Sequence, residues 1–136
     1  MTLRRLRRSL VPVLAAFFAL AIATSAEAKD VDTIIWATPA SPYNDNGRVY
    51  FSTNGDHIGI YDDSADGESV CVDFYATPVS TGKRKLYAEC NSGGAGTRKD
   101  FNFDFVENTD VTIRGWMFDR SNNSDHHFGS WRSTVA

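Results

Sequence analysis

Apolar and polar residues alternate with a period of two in several short runs between residues 48 and 131. In the most regular run, residues 69–76, Val70, Val72 and Phe74 alternate with other residue types. This period is typical of a β-strand that buries one face and leaves the other in solvent. Similar runs span residues 48–53, 57–61, 85–90, 100–106, 111–118 and 128–131. The pattern therefore predicts a series of short strands.

Turn-forming residues separate these runs. Asn54-Gly55 predicts a hairpin with a type I′ turn, because that turn needs positive φ at both central residues. Residues 62–67 form an acidic turn, and residues 92–96 are a loop of small residues. Strands spaced by about 8–14 residues, with no helical period, predict an all-β fold: an antiparallel β-sandwich of about seven or eight strands with one disulfide. A closed barrel is the alternative.

The first 28 residues predict a secretory signal peptide. Four arginines within residues 4–8 precede an apolar stretch at residues 10–22, and Ala26-Glu27-Ala28 supplies small residues around a cleavage site. The apolar stretch is short for a membrane-spanning helix. We therefore expect a secreted, extracellular protein that is cut near Ala28. Its mature chain divides into residues 29–46, an N-terminal arm or edge strand, and a β-sandwich domain at residues 47–136.

Net charge argues against nucleic acid and membranes as partners. The chain has a net charge of −3, and the signal peptide contains four Arg and one Glu, so the mature chain carries −6. An acidic protein lacks the positive field that attracts phosphate backbones or anionic membranes. The cluster Lys83-Arg84-Lys85 is short and lies beside a turn, so it forms no basic stripe.

The chain has two cysteines, Cys71 and Cys90. An even pair in an oxidising compartment favours a disulfide bond. Such a bond closes a loop of about 20 residues and stabilises the fold by roughly 3 kcal/mol on the chain-entropy account. Two free thiols and a metal site are the weaker alternatives.

Residues 29–46 differ from the chain that follows. The apolar run at residues 31–36 is short, and Pro39 and Pro42 come soon after it and interrupt strand hydrogen bonding. One interpretation is an edge strand with a connecting loop. The other is an arm that binds a partner by strand addition or groove insertion, with Ile34, Ile35 and Trp36 as its anchors. In the second case, we expect residues 47–136 to fold without the arm.

The acidic turn is the candidate cofactor site. Asp62, Ser64 and Asp66 occupy positions 1, 3 and 5 of a loop with Gly67 at position 6, and Asp73 falls at position 12. This spacing is close to that of a calcium-binding loop. However, position 12 is Asp instead of Glu, and no helices flank the loop. Aspartate-rich turns also join strands for backbone reasons alone, so structural calcium and a plain acidic turn are both open.

No catalytic signature is present, and we expect a protein that is not an enzyme. The chain has no Gly-x-Ser-x-Gly nucleophile elbow. Its histidines are His57, His126 and His127. Neighbouring residues on a strand point to opposite faces, so we expect His126 and His127 not to share a metal ion. Apart from the calcium alternative, we therefore expect no cofactor.

Aromatic residues are the second functional lead. Four tyrosines fall opposite the apolar residues of their strands: Tyr50, Tyr61, Tyr75 and Tyr87. Trp116 and Trp131 are candidates for the same placement. Exposed Tyr and Trp are favoured at protein interfaces and in carbohydrate-binding platforms. The alternative is that a two-sheet fold buries some of these rings.

Residues 54–75 carry a resemblance to a protein family. Gly55, Asp56, Tyr61, Asp62, Ala65, Asp66, Gly67 and Val70 match a pattern of small secreted actinomycete proteins, most of which have no assigned activity. The resemblance covers roughly residues 48–131. The architecture is also similar to the adaptor subunits of secreted umbrella toxin particles. These adaptors are exported and enzymatically inert, and they join a lectin to a stalk protein.

The resemblance implies a secreted protein–protein interaction module whose partner is another secreted protein. In its narrower form, it implies an adaptor within an extracellular antibacterial toxin particle. Two other classes of function remain open. A carbohydrate-binding module would use the exposed aromatic residues to bind a glycan, and an inhibitor would bind a secreted hydrolase.

Overall fold

The computed structural model describes residues 33–136, and the predicted signal peptide lies outside them. That part of the chain contains nine β-strands and no helix. The strands are β1 (Ile34–Ala37), β2 (Gly47–Ser52), β3 (His57–Asp62), β4 (Ser69–Ala76), β5 (Lys85–Asn91), β6 (Thr97–Asn102), β7 (Asp110–Asp119), β8 (Ser124–His126) and β9 (Arg132–Val135). Accordingly, residues 33–136 include no helix long and apolar enough to cross a membrane.

The strands form two antiparallel sheets. The four-stranded sheet has the order β1-β2-β3-β6, and the five-stranded sheet has the order β5-β4-β7-β8, with β9 also paired to β7. Two short strands share one edge of β7, because β8 pairs with residues 117–119 and β9 with residues 110–113. The predicted all-β antiparallel sandwich is confirmed, with nine strands in residues 33–136 instead of about seven or eight.

The inner faces of the two sheets form the hydrophobic core. The four-stranded sheet contributes Val49, Phe51, Ile58 and Ile60, and the five-stranded sheet contributes Val70, Val72, Phe74, Val111, Ile113 and Met117. All of these side chains are almost completely buried. Burial of each large apolar side chain stabilises the fold by roughly 1.5–3 kcal/mol. Because side chains alternate along a strand, this core also fixes which residues of each strand face outward.

The predicted disulfide is confirmed. Cys71 of β4 lies directly opposite Cys90 of β5, with their Cα atoms 4.1 Å apart, and the two sulfur atoms are bonded. Cys71 alternates with the core residues Val70 and Val72, so the bond lies on the outer face of the five-stranded sheet. It therefore fastens β5, an edge strand of that sheet, to its neighbour.

The turn at Asn54-Gly55 differs from the prediction. β2 ends at Ser52 and β3 begins at His57, and these two residues pair, so four residues make the turn instead of two. Positive φ occurs at Gly55 (77°) and Asp56 (53°), one position later than a type I′ turn on Asn54-Gly55 requires. The buried Asp56 explains the shift, because its Oδ2 accepts a hydrogen bond from the backbone N–H of Phe105 at 2.7 Å.

The predicted strand at residues 100–106 also divides. β6 ends at Asn102, and the chain then crosses to the five-stranded sheet, where Phe105 forms an isolated bridge with Pro78. Two backbone hydrogen bonds hold this crossing: Val79 N to Asp104 O at 3.0 Å and Val106 N to Thr77 O at 2.8 Å. Phe101, Phe103 and Phe105 all pack into the core, as their shared face predicted.

A final strand at residues 128–131 is not present. The backbone there bonds to other segments: Gly129 N donates to Gly115 O at 2.8 Å, and the neighbouring His127 O accepts from Ala40 N at 2.7 Å. Strand pairing occurs on either side of this segment instead, in β8 and β9. The alternation at residues 128–131 was thus too short to indicate a strand on its own.

Of the two interpretations of residues 29–46, the edge strand agrees with the structure. β1 pairs with β2 along its whole length, with Trp36 opposite Tyr50 and Ala37 opposite Val49. Ala37 is buried, and Ile35 packs against the core. The sheet therefore begins before residue 47, the boundary expected for an independent domain, and residues 29–32 lie outside the described residues.

Ile34 and Ile35 allow a matched test of this placement. They are neighbours on β1, but Ile35 packs against the core, whereas Ile34 is 49% exposed. We expect Ile35→Ser to lower the free energy of unfolding by about 1–2 kcal/mol, because it removes partly buried apolar surface. Ile34→Ser is expected to change it by less than about 0.5 kcal/mol. Urea denaturation of both variants measures the difference, and equal effects would contradict the orientation of β1.

Candidate functional site

The outer face of the four-stranded sheet carries a cluster of aromatic and arginine side chains, here called the aromatic face. Its members are Trp36, Arg48, Tyr50, Tyr61 and Arg98. Strand register brings them together, since Trp36 pairs with Tyr50 across β1 and β2, and Tyr61 lies between Arg48 and Arg98. The Trp36 centroid is 5.2 Å from that of Tyr50 and 6.0 Å from that of Tyr61.

Gly59 allows the Tyr50 ring to lie flat against the sheet. The two residues are cross-strand partners, and a Cβ atom at Gly59 would come within 1.8 Å of Tyr50 Cε1. A side chain at this position is therefore incompatible with the ring position. Because the glycine leaves this space, Tyr50 is only 7% exposed although it faces outward.

Two guanidinium groups lie over the rings. The Arg48 Cζ is 4.8 Å from the Tyr61 centroid and 5.6 Å from the Trp36 centroid. On the other side, the Arg98 Cζ is 5.1 Å from the Tyr61 centroid and 5.3 Å from the Tyr50 centroid. These distances allow cation–π attraction, worth roughly 0.5–1 kcal/mol at an exposed site. Each guanidinium also lies near a carboxylate, Arg48 near Asp63 and Arg98 near Asp100, so the aromatic face presents charges of both signs.

A hydrogen-bonded triad anchors the base of the cluster. Tyr50 Oη donates to Asp100 Oδ1 at 2.7 Å and accepts from Arg98 Nη2 at 2.6 Å, and Arg98 Nε lies 2.6 Å from Asp100 Oδ2. Burial and the hydrogen bond to the carboxylate raise the pKa of Tyr50 to about 12. Burial also acts to raise the pKa of Asp100, but hydrogen bonds from Arg98 and Tyr50 outweigh it and lower that pKa.

These side chains border an open concavity with a volume of about 500 Å³. It is lined by Ile34, Trp36, Tyr50, Ser52, His57, Tyr61, Arg98 and Asp100. At one end of the cluster, Trp36 is 46% exposed and Ile34 is 49% exposed. Arg48 is also exposed, and its Nε lies 3.7 Å from Asp63 Oδ2. The chemistry available here is binding by apolar contact and by charged hydrogen bonds.

Of the three residues predicted as partner anchors, two face outward and one faces inward. Ile34 and Trp36 lie on the aromatic face, whereas Ile35 packs against the core. Sequence reasoning missed Arg48 and Arg98 as members of the site. Arg48 and Tyr50 are two residues apart on β2 and share a face, so the alternation of this strand could have indicated Arg48. The placement of Arg98 depends on the pairing of β6 with β3.

The predicted outward aromatics have different environments. Tyr50 is buried across Gly59, and Tyr87 faces the core, where its ring stacks on Phe74 at 4.7 Å. Trp116 is only 7% exposed and donates a hydrogen bond from Nε1 to Asp73 Oδ1 at 3.0 Å. Tyr75 and Trp131 are 36% and 40% exposed. They lie on the outer face of the five-stranded sheet, on the opposite side of the sandwich.

The candidate calcium ligands lie in one turn, where Asp62 Oδ1 and the Asp66 carboxylate have hydrogen-bond partners, whereas the buried Asp62 Oδ2 has none. Asp62 is 1% exposed, and its Oδ1 accepts from Ser64 N at 3.4 Å. Asp66 accepts from the backbone N–H of Glu68 at 2.9 Å and from the Asn46 side chain at 2.6 Å. Within residues 33–136, no three His, Cys, Asp or Glu side chains are grouped to hold a metal ion.

Asp73, at position 12 of the calcium pattern, does not join the turn. Its carboxylate lies on the outer face of the five-stranded sheet and accepts hydrogen bonds from Arg114 and Trp116. The alternation within β4 accounts for this, because residue 73 points away from the core residues Val72 and Phe74.

The two adjacent histidines do not point to opposite faces as expected. His127 has a φ of 52°, outside the strand region, and its Nδ1 contacts the Nδ1 of His126. Tyr43 packs against both rings, with centroids 4.3 Å from His127 and 5.4 Å from His126. His126 Nε2 lies 3.2 Å from Glu68 Oε2, and burial raises the pKa of Glu68.

The chain matches no protein-family model, no curated protein and no solved structure. The resemblance to secreted actinomycete proteins therefore stays an expectation from residues 48–131.

The Tyr50 triad predicts an abnormal phenol titration. In a ¹³C NMR titration, we expect the Tyr50 phenol to ionise near pH 12, above the usual value of 10.0. Asp100→Asn removes the negative charge beside the phenol and is expected to lower the pKa of Tyr50. Tyr50→Phe assigns the signal. Ionisation of the Tyr50 phenol near pH 10.0 would contradict the triad.

Asp62 predicts a pH dependence of stability. Burial, together with the charges of Asp66 and Asp63, raises the pKa of Asp62 above 3.8. Its contribution to stability is therefore complete below the unfolded-state pKa and is lost as the pH rises through the folded-state pKa. Asp62→Asn is expected to reduce the loss of stability between about pH 4 and pH 7, measured by urea denaturation.

Two other groups shape the outcome for Asp62→Asn. Asp56 and Glu68 also have pKa values raised by burial, so part of the pH dependence remains in the variant. Asp45→Asn, in an exposed turn, is the matched control for the removal of one carboxylate. An identical pH dependence in the Asp62→Asn variant and the wild type would show that ionisation of the buried Asp62 carboxylate does not destabilise the fold.

Proposed function

We propose that this protein is a secreted, non-enzymatic interaction module that binds a protein partner on the aromatic face. The observation that carries the proposal is the cluster of Trp36, Tyr50 and Tyr61 with Arg48 and Arg98 stacked on their rings. Trp, Tyr and Arg are the residues that most often dominate the binding energy of protein interfaces. Here all three residue types meet on one sheet face.

The exposed part of the cluster supports a protein partner. Ile34 and Trp36 are about half exposed and lie side by side on β1 with no sheet partner beyond them in residues 33–136. Apolar groups left in solvent and surrounded by polar residues mark interaction sites. Arg48 is exposed, and its 3.7 Å contact with Asp63 is longer than a hydrogen bond, so its guanidinium can form hydrogen bonds with a carboxylate of the partner.

Preorganisation also favours binding at this face. Tyr50 is fixed by the space over Gly59 and by hydrogen bonds with Asp100 and Arg98. Rings and guanidinium groups that are ordered before association lose little conformational entropy when a partner binds. The aromatic face therefore has the rigidity expected of a constitutive interface.

The narrower form of the proposal is an adaptor subunit in an extracellular toxin particle. The support for this form is the resemblance of the general architecture to the adaptor subunits of umbrella toxin particles, whereas the pattern at residues 55–70 resembles secreted actinomycete proteins without an assigned activity. An adaptor of this kind would join a lectin to a stalk protein. The aromatic face accounts for one of these two contacts.

Affinity capture tests the proposal. The mature protein, tagged at its C-terminus, is incubated with culture medium of the source organism, and captured proteins are identified by mass spectrometry. The captured protein is then produced separately and titrated by calorimetry. We expect Trp36→Ala to weaken binding by roughly tenfold to a hundredfold, since truncation of an interface Trp costs about 1–3 kcal/mol.

Trp131→Ala is the matched control, because Trp131 is similarly exposed but lies on the opposite sheet. We expect it to bind the partner with wild-type affinity. Thermal melting of each variant separates loss of binding from loss of folding. If Trp36→Ala and Arg48→Ala both bind the captured protein as the wild type does, the aromatic face is not the interface.

A further inference from the structure

A second concave surface lies on the outer face of the five-stranded sheet and is here called the ring pocket. It has a volume of about 420 Å³ and is lined by Tyr75, Arg84, Asp110, Thr112, Trp131 and Ser133. We propose that the ring pocket binds a neutral saccharide. This site is separate from the aromatic face, because the two outer faces of a sandwich point in opposite directions.

Two exposed rings form the apolar part of the pocket. Tyr75 and Trp131 are 36% and 40% exposed, with centroids 5.4 Å apart and ring planes tilted by 41°. The C–H bonds on one face of a pyranose ring are apolar and carry small positive charges. They pack favourably on the negative face of an aromatic ring. A pair of tilted rings therefore provides a platform for one or two sugar units.

Polar groups surround this platform. Tyr75 pairs with Thr112, and Thr112 pairs with Ser133, so two hydroxyl groups lie in the same row as the Tyr75 ring. Arg84 donates a hydrogen bond to Thr112 Oγ1, and its Cζ lies 5.1 Å from the Tyr75 centroid. Asp110 places an exposed carboxylate in the same pocket. Charged groups form stronger hydrogen bonds to hydroxyls than neutral groups do.

The charges of the pocket select the class of saccharide. Arg84 and Asp110 contribute one positive and one negative group. A sulfated or uronic sugar would meet the Asp110 carboxylate, and a cationic amino sugar would meet Arg84. A neutral sugar accepts hydrogen bonds from the guanidinium and donates them to the carboxylate. The pocket therefore fits a neutral oligosaccharide best.

A partly buried polar network holds Trp131 in place although it lies outside any strand. The Arg114 Cζ is 4.5 Å from the Trp131 centroid and 4.3 Å from the Phe128 centroid. Asp73 fixes that guanidinium through hydrogen bonds from Arg114 Nε at 2.9 Å and Nη2 at 2.6 Å. One ring face of Trp131 is thus occupied by Arg114. This leaves its exposed surface for a ligand, in a fixed orientation.

An oligosaccharide array tests the proposal. The mature protein is applied to immobilised neutral glucan, mannan, galactan and chitin oligosaccharides, together with sulfated and uronic oligosaccharides. Any sugar that binds is then titrated by NMR with ¹⁵N-labelled protein. We expect a neutral oligosaccharide to bind and to shift the amide signals of β4, β7 and β9 around Tyr75, Thr112 and Ser133.

Variants on the two faces make the result specific. Tyr75→Ala and Trp131→Ala are each expected to weaken binding by about tenfold, the scale of a lost aromatic contact. Arg84→Ala, which alters an exposed side chain, tests the rim without disturbing Arg114. Trp36→Ala on the aromatic face is the matched control and is expected to bind the sugar normally. Because that control removes the proposed protein anchor, the two proposals fail independently.

Three outcomes would overturn the saccharide site. The first is the absence of binding to every neutral oligosaccharide at millimolar concentration. The second is binding only to sulfated or uronic sugars. The third is neutral-sugar binding that persists unchanged in Tyr75→Ala, Trp131→Ala and Arg84→Ala, which would place the sugar elsewhere. If Trp131→Ala fails to fold, Tyr75→Ala and Arg84→Ala retain the test.

Discussion

Phe74 of β4 is a fully buried core residue and lies at the centre of an aromatic cluster. Its ring stacks on Tyr87 at 4.7 Å and contacts Phe103 at 5.1 Å and Phe105 at 6.2 Å. This aromatic cluster fills the space between β4, β5 and the crossing that follows β6. Because this cluster fixes which side of each strand faces the core, the alternation of side chains along the strand determines which residues lie on the outer faces. The aromatic face and the ring pocket both depend on that choice.

The fold was largely predictable because alternation is a local property. The pattern of Val70, Val72 and Phe74 indicated β4, and the spacing of the runs indicated a sandwich. The differences arise where a contact distant in sequence decides the backbone. Asp56 moves the first turn by bonding to Phe105, and residues 127–129 bond to Ala40 and Gly115 instead of forming a strand. Such contacts leave no periodic signal.

The candidate site was predicted only in part, for the same reason. The apolar run before Pro39 indicated Trp36, but only strand register shows that Trp36 joins Tyr50 and Tyr61. Arg98 reaches the cluster because β6 pairs with β3, which are separated in sequence by two strands of the other sheet. The disulfide was easier, since two cysteines allow only one intramolecular pairing.

The Tyr50 ring over Gly59 has a consequence for the way this sequence can change with time. Because a Cβ atom at residue 59 would overlap the ring, the two positions share one volume and cannot vary independently. A larger residue at position 59 requires a smaller one at position 50, and with it the Asp100 and Arg98 hydrogen bonds are lost. In related sequences, tyrosine at position 50 with glycine at position 59 would mark proteins that retain this surface. A joint change of both positions would mark proteins that have lost it.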